Sequence, residues 1–167
     1  MTQLALVVDE ERCVGCRSCE VACKSENNLP VGSQWMKVDM TIKEVGGKLV
    51  ASFPHRRCRH CAKPSCIDIC PTNAITKRAD GVVLINPELC NGCMACVEAC
   101  SFGAPQFNPE RNIMEMCTLC VHRIDKGLEP ACVIHCPAGD LIFGEINHCN
   151  EVLQEHHERR MAGRIEL

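Results

Sequence analysis

Sixteen of the seventeen cysteines in this 167-residue chain fall into four groups of four. Cys13, Cys16, Cys19 and Cys23 form the first group, and Cys58, Cys61, Cys66 and Cys70 the second. Cys90, Cys93, Cys96 and Cys100 form the third, and Cys117, Cys120, Cys132 and Cys136 the fourth. Every group opens with C-x2-C and closes with C-x3-C. The first and third groups place two residues in the middle gap, the second four and the fourth eleven. Thiols at this density can cross-link, hold single zinc ions or hold iron–sulfur clusters. An odd cysteine count, tight regular spacing and a Met1–Asp9 segment without a basic-then-apolar leader pattern argue against a disulfide scaffold. Zinc sites take two separated pairs and do not need three cysteines packed as tightly as Cys13–Cys19 or Cys90–Cys96. A [4Fe–4S] cube has four iron corners, each wanting one thiolate, so a tight loop can supply three and leave one to come from elsewhere. Pro71 and Pro137 follow the last cysteines of groups two and four, as in the bacterial ferredoxin run. Sixteen thiols saturate four cubes and leave no iron free for a reactant, which predicts a carrier of electrons with no catalytic residue.

The elements that position these thiols must be short. The chain has no Tyr, one Trp and four Phe, so aromatic burial contributes little and metal ligation must help to hold the fold. The net charge of -3 excludes a nucleic-acid binder, and no apolar run approaches the roughly 18 residues of a membrane span. The fourth cysteine of each group is expected just inside a helix, pointing toward a neighbouring cube. Groups two and three read as one intact two-cluster ferredoxin, with a turn at Pro71–Ala74 and a strand over Gly81–Ile85. Groups one and four then form a second unit into which the first is inserted. Pairing of one with two and three with four is equally compatible with the spacing.

Alternation predicts a strand over Met1–Val8 and a hairpin of Met36–Lys43 with Lys48–Phe53 about a Gly46-Gly47 turn. That hairpin either covers a cluster or docks a partner, with Trp35 as an anchor. Leu141–Ile146 reads as a strand and Glu151–Met161 as a short helix with Val152, Leu153, His156 and Arg160 on one face, a cap or a docking element. Cys149 is expected to be a free, partly buried thiol. His60 and His135 stand beside cluster cysteines, either as hydrogen-bond donors to sulfur or as plain loop residues. Arg57, Arg59 and Lys63 either offset cluster charge or form a solvated face.

The nested layout, the long gap in group four and the stretches Asp80–Cys100, Ser101–Glu110 and Cys117–Ile146 resemble the four-cluster ferredoxin subunits of molybdenum and tungsten oxidoreductases. These serve enzymes of the dimethyl sulfoxide reductase, polysulfide reductase, formate dehydrogenase and tungsten aldehyde oxidoreductase type, and similar modules serve carbon monoxide dehydrogenase and group 4 hydrogenases. The resemblance covers about residues 4–147. It implies an α+β fold of two ferredoxin-like 2[4Fe–4S] units, one inserted in the other, with short β-hairpins and short helices. The outer unit comprises 1–30 and 111–147, a hairpin insertion 31–53, the inner unit 54–110 and a helical tail 148–167. The implied ligand sets cross between groups: Cys13, Cys16, Cys19 and Cys136; Cys117, Cys120, Cys132 and Cys23; Cys58, Cys61, Cys66 and Cys100; Cys90, Cys93, Cys96 and Cys70. Some relatives carry Trp in group three and a [3Fe–4S] cluster there, whereas Cys93 keeps this group complete and predicts four [4Fe–4S] clusters.

The expected role is that of an electron-transfer subunit, placed between a molybdenum- or tungsten-pterin catalytic subunit, acting for example on an aldehyde or formate, and a further partner. That partner is a flavin or other redox subunit, or another copy of the chain. The alternative is a stand-alone or self-assembling polyferredoxin shuttling between enzymes such as hydrogenase or carbon monoxide dehydrogenase. The sequence ends about thirty residues after Cys136, shorter than relatives with membrane-docking segments. Together with the leaderless start this gives an expectation of a cytoplasmic protein in an anaerobic setting, with co-export beside a signal-bearing partner as the other route.

Overall fold

The computed structural model of the chain describes residues 3–165, with side chains described as far as residue 162. Met1 and Thr2 of the expected first strand, and Glu166 and Leu167 of the expected tail, lie outside the described residues. Leu4–Val8 (β1) pairs antiparallel with Leu141–Glu145 (β10), in register from Leu4 opposite Glu145 to Val8 opposite Leu141. The beginning of the chain and the segment after its last cysteine group therefore close on each other. Between them lie α1 (Ser18–Glu26), the strands β2 (Met36–Val38), β3 (Thr41–Val45), β4 (Lys48–Ser52) and β5 (His55–Arg57), and α2 (Ser65–Asp68). The strands β6 (Ile75–Lys77) and β7 (Val83–Ile85) follow, then α3 (Ala95–Ala99), β8 (Gln106–Asn108) and β9 (Ile113–Glu115). The short helices α4 (Val121–Ile124) and α5 (Ala131–Ile134) precede β10, and α6 (Ile146–Ile165) ends the described chain. All the strands pair two by two and antiparallel.

The expected hairpin is interrupted. β3 pairs with β4 across Gly46-Gly47, whose φ values of 58 and 77 suit a tight two-residue turn. β2 pairs instead with β5, Met36 opposite Arg57 and Val38 opposite His55. Both ladders keep one register, so this is one ribbon broken opposite Pro54. Proline has no N–H to return to the ladder, and only the bond from the Asp39 N–H to the Pro54 carbonyl, 3.0 Å, remains there. The near half of the ribbon buries Met36 and Val38, while every residue of β3 is exposed.

Two main cores result, with Ala22, Cys120 and Ala131 as a third, smaller cluster. One gathers Leu6, Leu29, Met36, Val38 and Leu119 around Cys19, Cys23 and Cys132. The other gathers Ile75, Val83, Met114 and Met116 around Cys58, Cys96 and Cys117. Trp35, half-buried, packs against both. Cys19, Cys23, Cys58, Cys96, Cys117, Cys120, Cys132 and Cys149 are themselves core positions, so thiols take the place that aromatic side chains fill elsewhere. Helix α1 packs on α5 and α2 on α3, bringing group one beside group four and group two beside group three.

Helix α6 starts at Ile146, well before the expected Glu151. The Ile146 N–H bonds the Gln3 carbonyl at 2.9 Å, so the helix leaves β10 directly. Cys149 is fully buried rather than partly so, between the helix and the β1–β10 ladder, with its Sγ 3.8 Å from the carbonyls of Ala5 and Ile142. Further along, Arg160 and His156 reach buried Asp9 at 2.7 and 3.1 Å. Burial works against the Asp9 carboxylate, but these two partners outweigh it and hold its pKa below the ordinary value. The Asp9 carbonyl in turn accepts the N–H groups of Arg12 and Cys13, so the C-terminal helix steadies the start of the first cysteine loop.

Candidate metal centres

All four C-x2-C loops share one backbone device. The residue before the second cysteine is left-handed in each: Gly15 at φ 68, His60 at 45, Gly92 at 70 and Leu119 at 53. Such a turn points successive N–H groups and sulfurs at one volume. Glycine is required where another segment presses on the loop. A Cβ on Gly92 would meet the Asn112 carbonyl oxygen at 2.8 Å, and one on Gly15 would meet the Phe53 ring at 2.4 Å. His60 and Leu119 instead bury their side chains, at 2% and 1% exposure, which offsets the left-handed cost of about 1–2 kcal/mol. Gly92→Ala should therefore destabilise by about 1–3 kcal/mol, read as a lower denaturant midpoint for anaerobic bleaching. Gly127→Ala, also left-handed but facing open space, should lose less. Equal losses would show that the Asn112 contact is irrelevant.

The third cysteine of each group enters by a helix. Cys19 and Cys96 lie in α1 and α3, behind left-handed Arg17 and Met94. Cys66 and Cys132 lie in α2 and α5, behind Pro64 and Pro130. A proline two residues before the third cysteine marks the two groups with a lengthened gap, a signal that is present in the sequence but that cysteine spacing alone passes over.

The thiols converge across groups. Cys23, Cys117, Cys120 and Cys132 line one apolar cavity with Leu6, Asn27 and Met36. Cys70, Cys90, Cys93 and Cys96 line another with Ile75, Ile85 and Met114. Cys66 lies beside Cys100 and Cys61, and Cys58 beside Cys117, Cys66 and Cys61. Cys13 lies beside Cys136 and Cys19. Cys16 sits exposed at the rim, its Sγ 3.5 Å from the Ser18 hydroxyl. Asp140 and His55, both buried, stand next to Cys13, and the Cys136 thiol donates to Asp140 Oδ1.

All seventeen cysteines are free thiols, and burial makes their ionisation costly. It pushes Cys13 and Cys96 up to about 11 and Cys19 and Cys58 up to about 12. Burial and the mutual charge of Cys23, Cys117, Cys120 and Cys132 raise Cys23 and Cys132 as well. Thiols held this way become thiolates at neutral pH only when a metal takes the proton's place. Neutral backbone donors stand ready for the sulfurs: the N–H groups of His60, Met114 and Ala104 point at Cys58, Cys90 and Cys100 at 3.3–3.5 Å. Burial also opposes the Cys70 thiolate, yet the Thr72 hydroxyl and the N–H groups of Thr72, Ala74 and Ile75 win and lower its pKa. The two cavities lined by four sulfurs each fit a [4Fe–4S] cube, which exchanges one electron at a time when bound.

The accessory residues divide. The His60 ring serves the fold, Nδ1 accepting the Val83 N–H at 3.0 Å, and burial drops its pKa to about 4, so it is neutral. His135 Nδ1 donates to the Ala131 carbonyl at 2.9 Å. Arg59 stacks its guanidinium 4.5 Å above the Phe102 ring, and Lys63 is exposed. Arg57 is not on a solvated face: it is buried.

This arrangement defines a multi-cluster ferredoxin. A 4Fe-4S dicluster domain matches residues 49–146 and a 4Fe-4S binding domain matches residues 4–25. The chain is 43% identical over 141 residues to a tetrathionate reductase subunit of Archaeoglobus fulgidus, covering 84% of this chain and 66% of that one. It is 40% identical over 144 residues to the corresponding tetrathionate reductase subunit of Salmonella typhimurium, covering 85% and 58%. It is 35% identical over 159 residues to a subunit of the anaerobic dimethyl sulfoxide reductase of Haemophilus influenzae, covering 88% and 76%. The chain thus spans between 58% and 76% of the length of these relatives. It belongs to the 4Fe-4S dicluster domain family, as an electron-transfer iron–sulfur protein rather than a catalytic one. No helix among the described residues is long and apolar enough to cross a membrane.

Proposed function

We propose that this chain relays single electrons through four [4Fe–4S] clusters between a molybdenum- or tungsten-pterin catalytic subunit and a second redox partner. The proposed ligand sets are Cys13/Cys16/Cys19/Cys136, Cys23/Cys117/Cys120/Cys132, Cys58/Cys61/Cys66/Cys100 and Cys70/Cys90/Cys93/Cys96. They make an inner two-cluster unit within 54–110, nested in an outer unit of 1–30 and 111–147, with the hairpin 31–53 between them and 148–167 as a tail. The observation that carries this reading is the cavity shared by Cys23 of group one and three cysteines of group four. A cysteine that leaves its own loop for a neighbour ties two cubes through one short helix, which suits a relay.

Burial separates the roles of the sets. Cys23, Cys117, Cys120 and Cys132 are all buried, the set of Cys58 has no exposed member, and Cys16 and Cys93 are the exposed members of the other two sets, which also bury Cys19 and Cys96. Exposed apolar residues flank the two exposed cysteines in the chain: Val14 and Val21 on either side of Cys16, Leu89 before Cys93 and Met94 and Val97 after it. Electrons would enter and leave at these rims, while the interior thiols hold water away from the middle of the path. The names of the relatives favour a reductase of the dimethyl sulfoxide or tetrathionate type over an aldehyde or formate oxidoreductase. The cytoplasm remains the proposed compartment. Anaerobic affinity purification of the native chain tests the reading: a stoichiometric pterin-bearing subunit should co-purify. Recovery of the fully loaded chain alone, or with only its own copies, would instead favour a free polyferredoxin.

A further inference from the structure

Arg57 ends β5 and directly precedes Cys58, yet it is only 7% exposed. Its Nη1 donates to the Cys58 carbonyl at 2.9 Å and its Nη2 to the carbonyl of Leu6. Leu6 lines the cavity of Cys23, Cys117, Cys120 and Cys132. The Nε of Arg57 is buried without a partner. None of the ion pairs among the described residues includes Arg57. A buried guanidinium without a carboxylate is costly unless some other anion answers it. The groups that favour its charge most are the sulfurs of Cys117 and Cys132, with Arg59 opposing and Cys58 adding less, while Glu10 lines the same open cavity as Arg57 without pairing with it. These sulfurs fall in two different proposed ligand sets, and Arg57 lies on the seam between them.

We propose that Arg57 is the shared counter-cation of the two interior clusters, those of Cys58/Cys61/Cys66/Cys100 and Cys23/Cys117/Cys120/Cys132, and makes both easier to reduce. This rests on the proposed ligand sets. Each cube gains one negative charge on reduction, and a fixed, largely buried cation stabilises that charge more than one in bulk water would. No proton moves, because the guanidinium stays charged throughout. No sulfur of Cys13/Cys16/Cys19/Cys136 or Cys70/Cys90/Cys93/Cys96 is among the groups that act most strongly on Arg57. Arg57 acts through the field it sets and touches no reactant.

The test is a reductive titration of the fully loaded chain, followed by electron paramagnetic resonance, for wild type, Arg57→Met, Arg57→Gln and Arg57→Lys. Two of four midpoints should fall in the Met and Gln variants. The change should be about tenfold in each reduction equilibrium, which is about 59 mV for a one-electron couple. The other two midpoints should hold, and Lys should restore most of the loss. The signal missing from Cys23→Ala identifies one of the two affected clusters. If Met and Gln shed iron while Lys retains it, the charge is still what the interior clusters need, and the proposal stands. Equal shifts in all four, no shift at full iron content, or iron loss in the Lys variant as well would overturn it. A wild type with far fewer than four clusters would instead overturn the ligand sets, a distinct failure.

Discussion

Replacing Cys23 with Ala should remove the cluster of Cys117, Cys120 and Cys132 while sparing the one held by Cys13, Cys16 and Cys19 beside it in sequence. Cys23 sits in α1, one turn beyond Cys19, but its sulfur lines the cavity of the fourth group. Its ionisation is opposed first by burial and then by Cys117 and Cys120 ahead of Cys19. A cube left with three thiolates loses an iron or falls apart. Iron and sulfide should then drop from about 16 of each per chain toward about 12, at four of each per cube. One of four sets of magnetic signals should vanish. Because Cys23 and Cys132 both belong to the core around Leu6 and Leu119, the loss should also lower thermal stability. Damage confined to the signal of the first loop would show that each group ligates its own cube, and the crossed sets would be wrong.

Stripping the metal entirely should abolish cooperative folding. Helices α2, α4 and α5 have four residues each, far short of the roughly 12–15 that make a helix even marginal alone. Most ladders pair only three residues a side, as β6–β7 and β8–β9 do. A chain without tyrosine and with one tryptophan has little else to bury. Buried thiols pushed up to about 11 or 12 give each core a set of polarisable but weakly binding groups once iron leaves. Anaerobic chelation with an oxidant should flatten the near-ultraviolet dichroism and erase the denaturant transition. Reconstitution with iron and sulfide should bring both back. A metal-free chain that still unfolds cooperatively would mean that the peptide alone supports the fold.

Much of the site is legible in the residues because a cube imposes its own spacing. Three cysteines within seven residues have few uses, so groups one and three stand out at once, and the shared C-x2-C and C-x3-C ends bring in groups two and four. Pairing between groups is less legible: it depends on α1 packing on α5 and α2 on α3, contacts between helices too short to show periodicity. Pro54 is visible in the sequence, yet its effect on the ribbon needs the facing residue Asp39 to be known. Arg57 sits in a run with Arg56 and Arg59 that looks like a solvated surface, and only the approach of the Leu6 carbonyl from β1 makes it interior. The early start of α6 is hidden because Ile146 also continues the apolar pattern of β10. The identity of the catalytic partner is written in surfaces and neighbours, not in ligand spacing.

The closing of Leu4–Val8 on Leu141–Glu145 imposes an order of manufacture. On the proposed ligand sets, the inner pair of cubes can be completed once Cys100 has emerged from the ribosome. The first loop must wait for Cys136, and Cys23 for Cys132, roughly 2–7 seconds later at roughly 5–20 residues per second. During that interval the N-terminal thiols are exposed to oxygen and stray metal. A strand that docks only after all four cysteine groups have emerged makes the outer unit the later of the two to become functional.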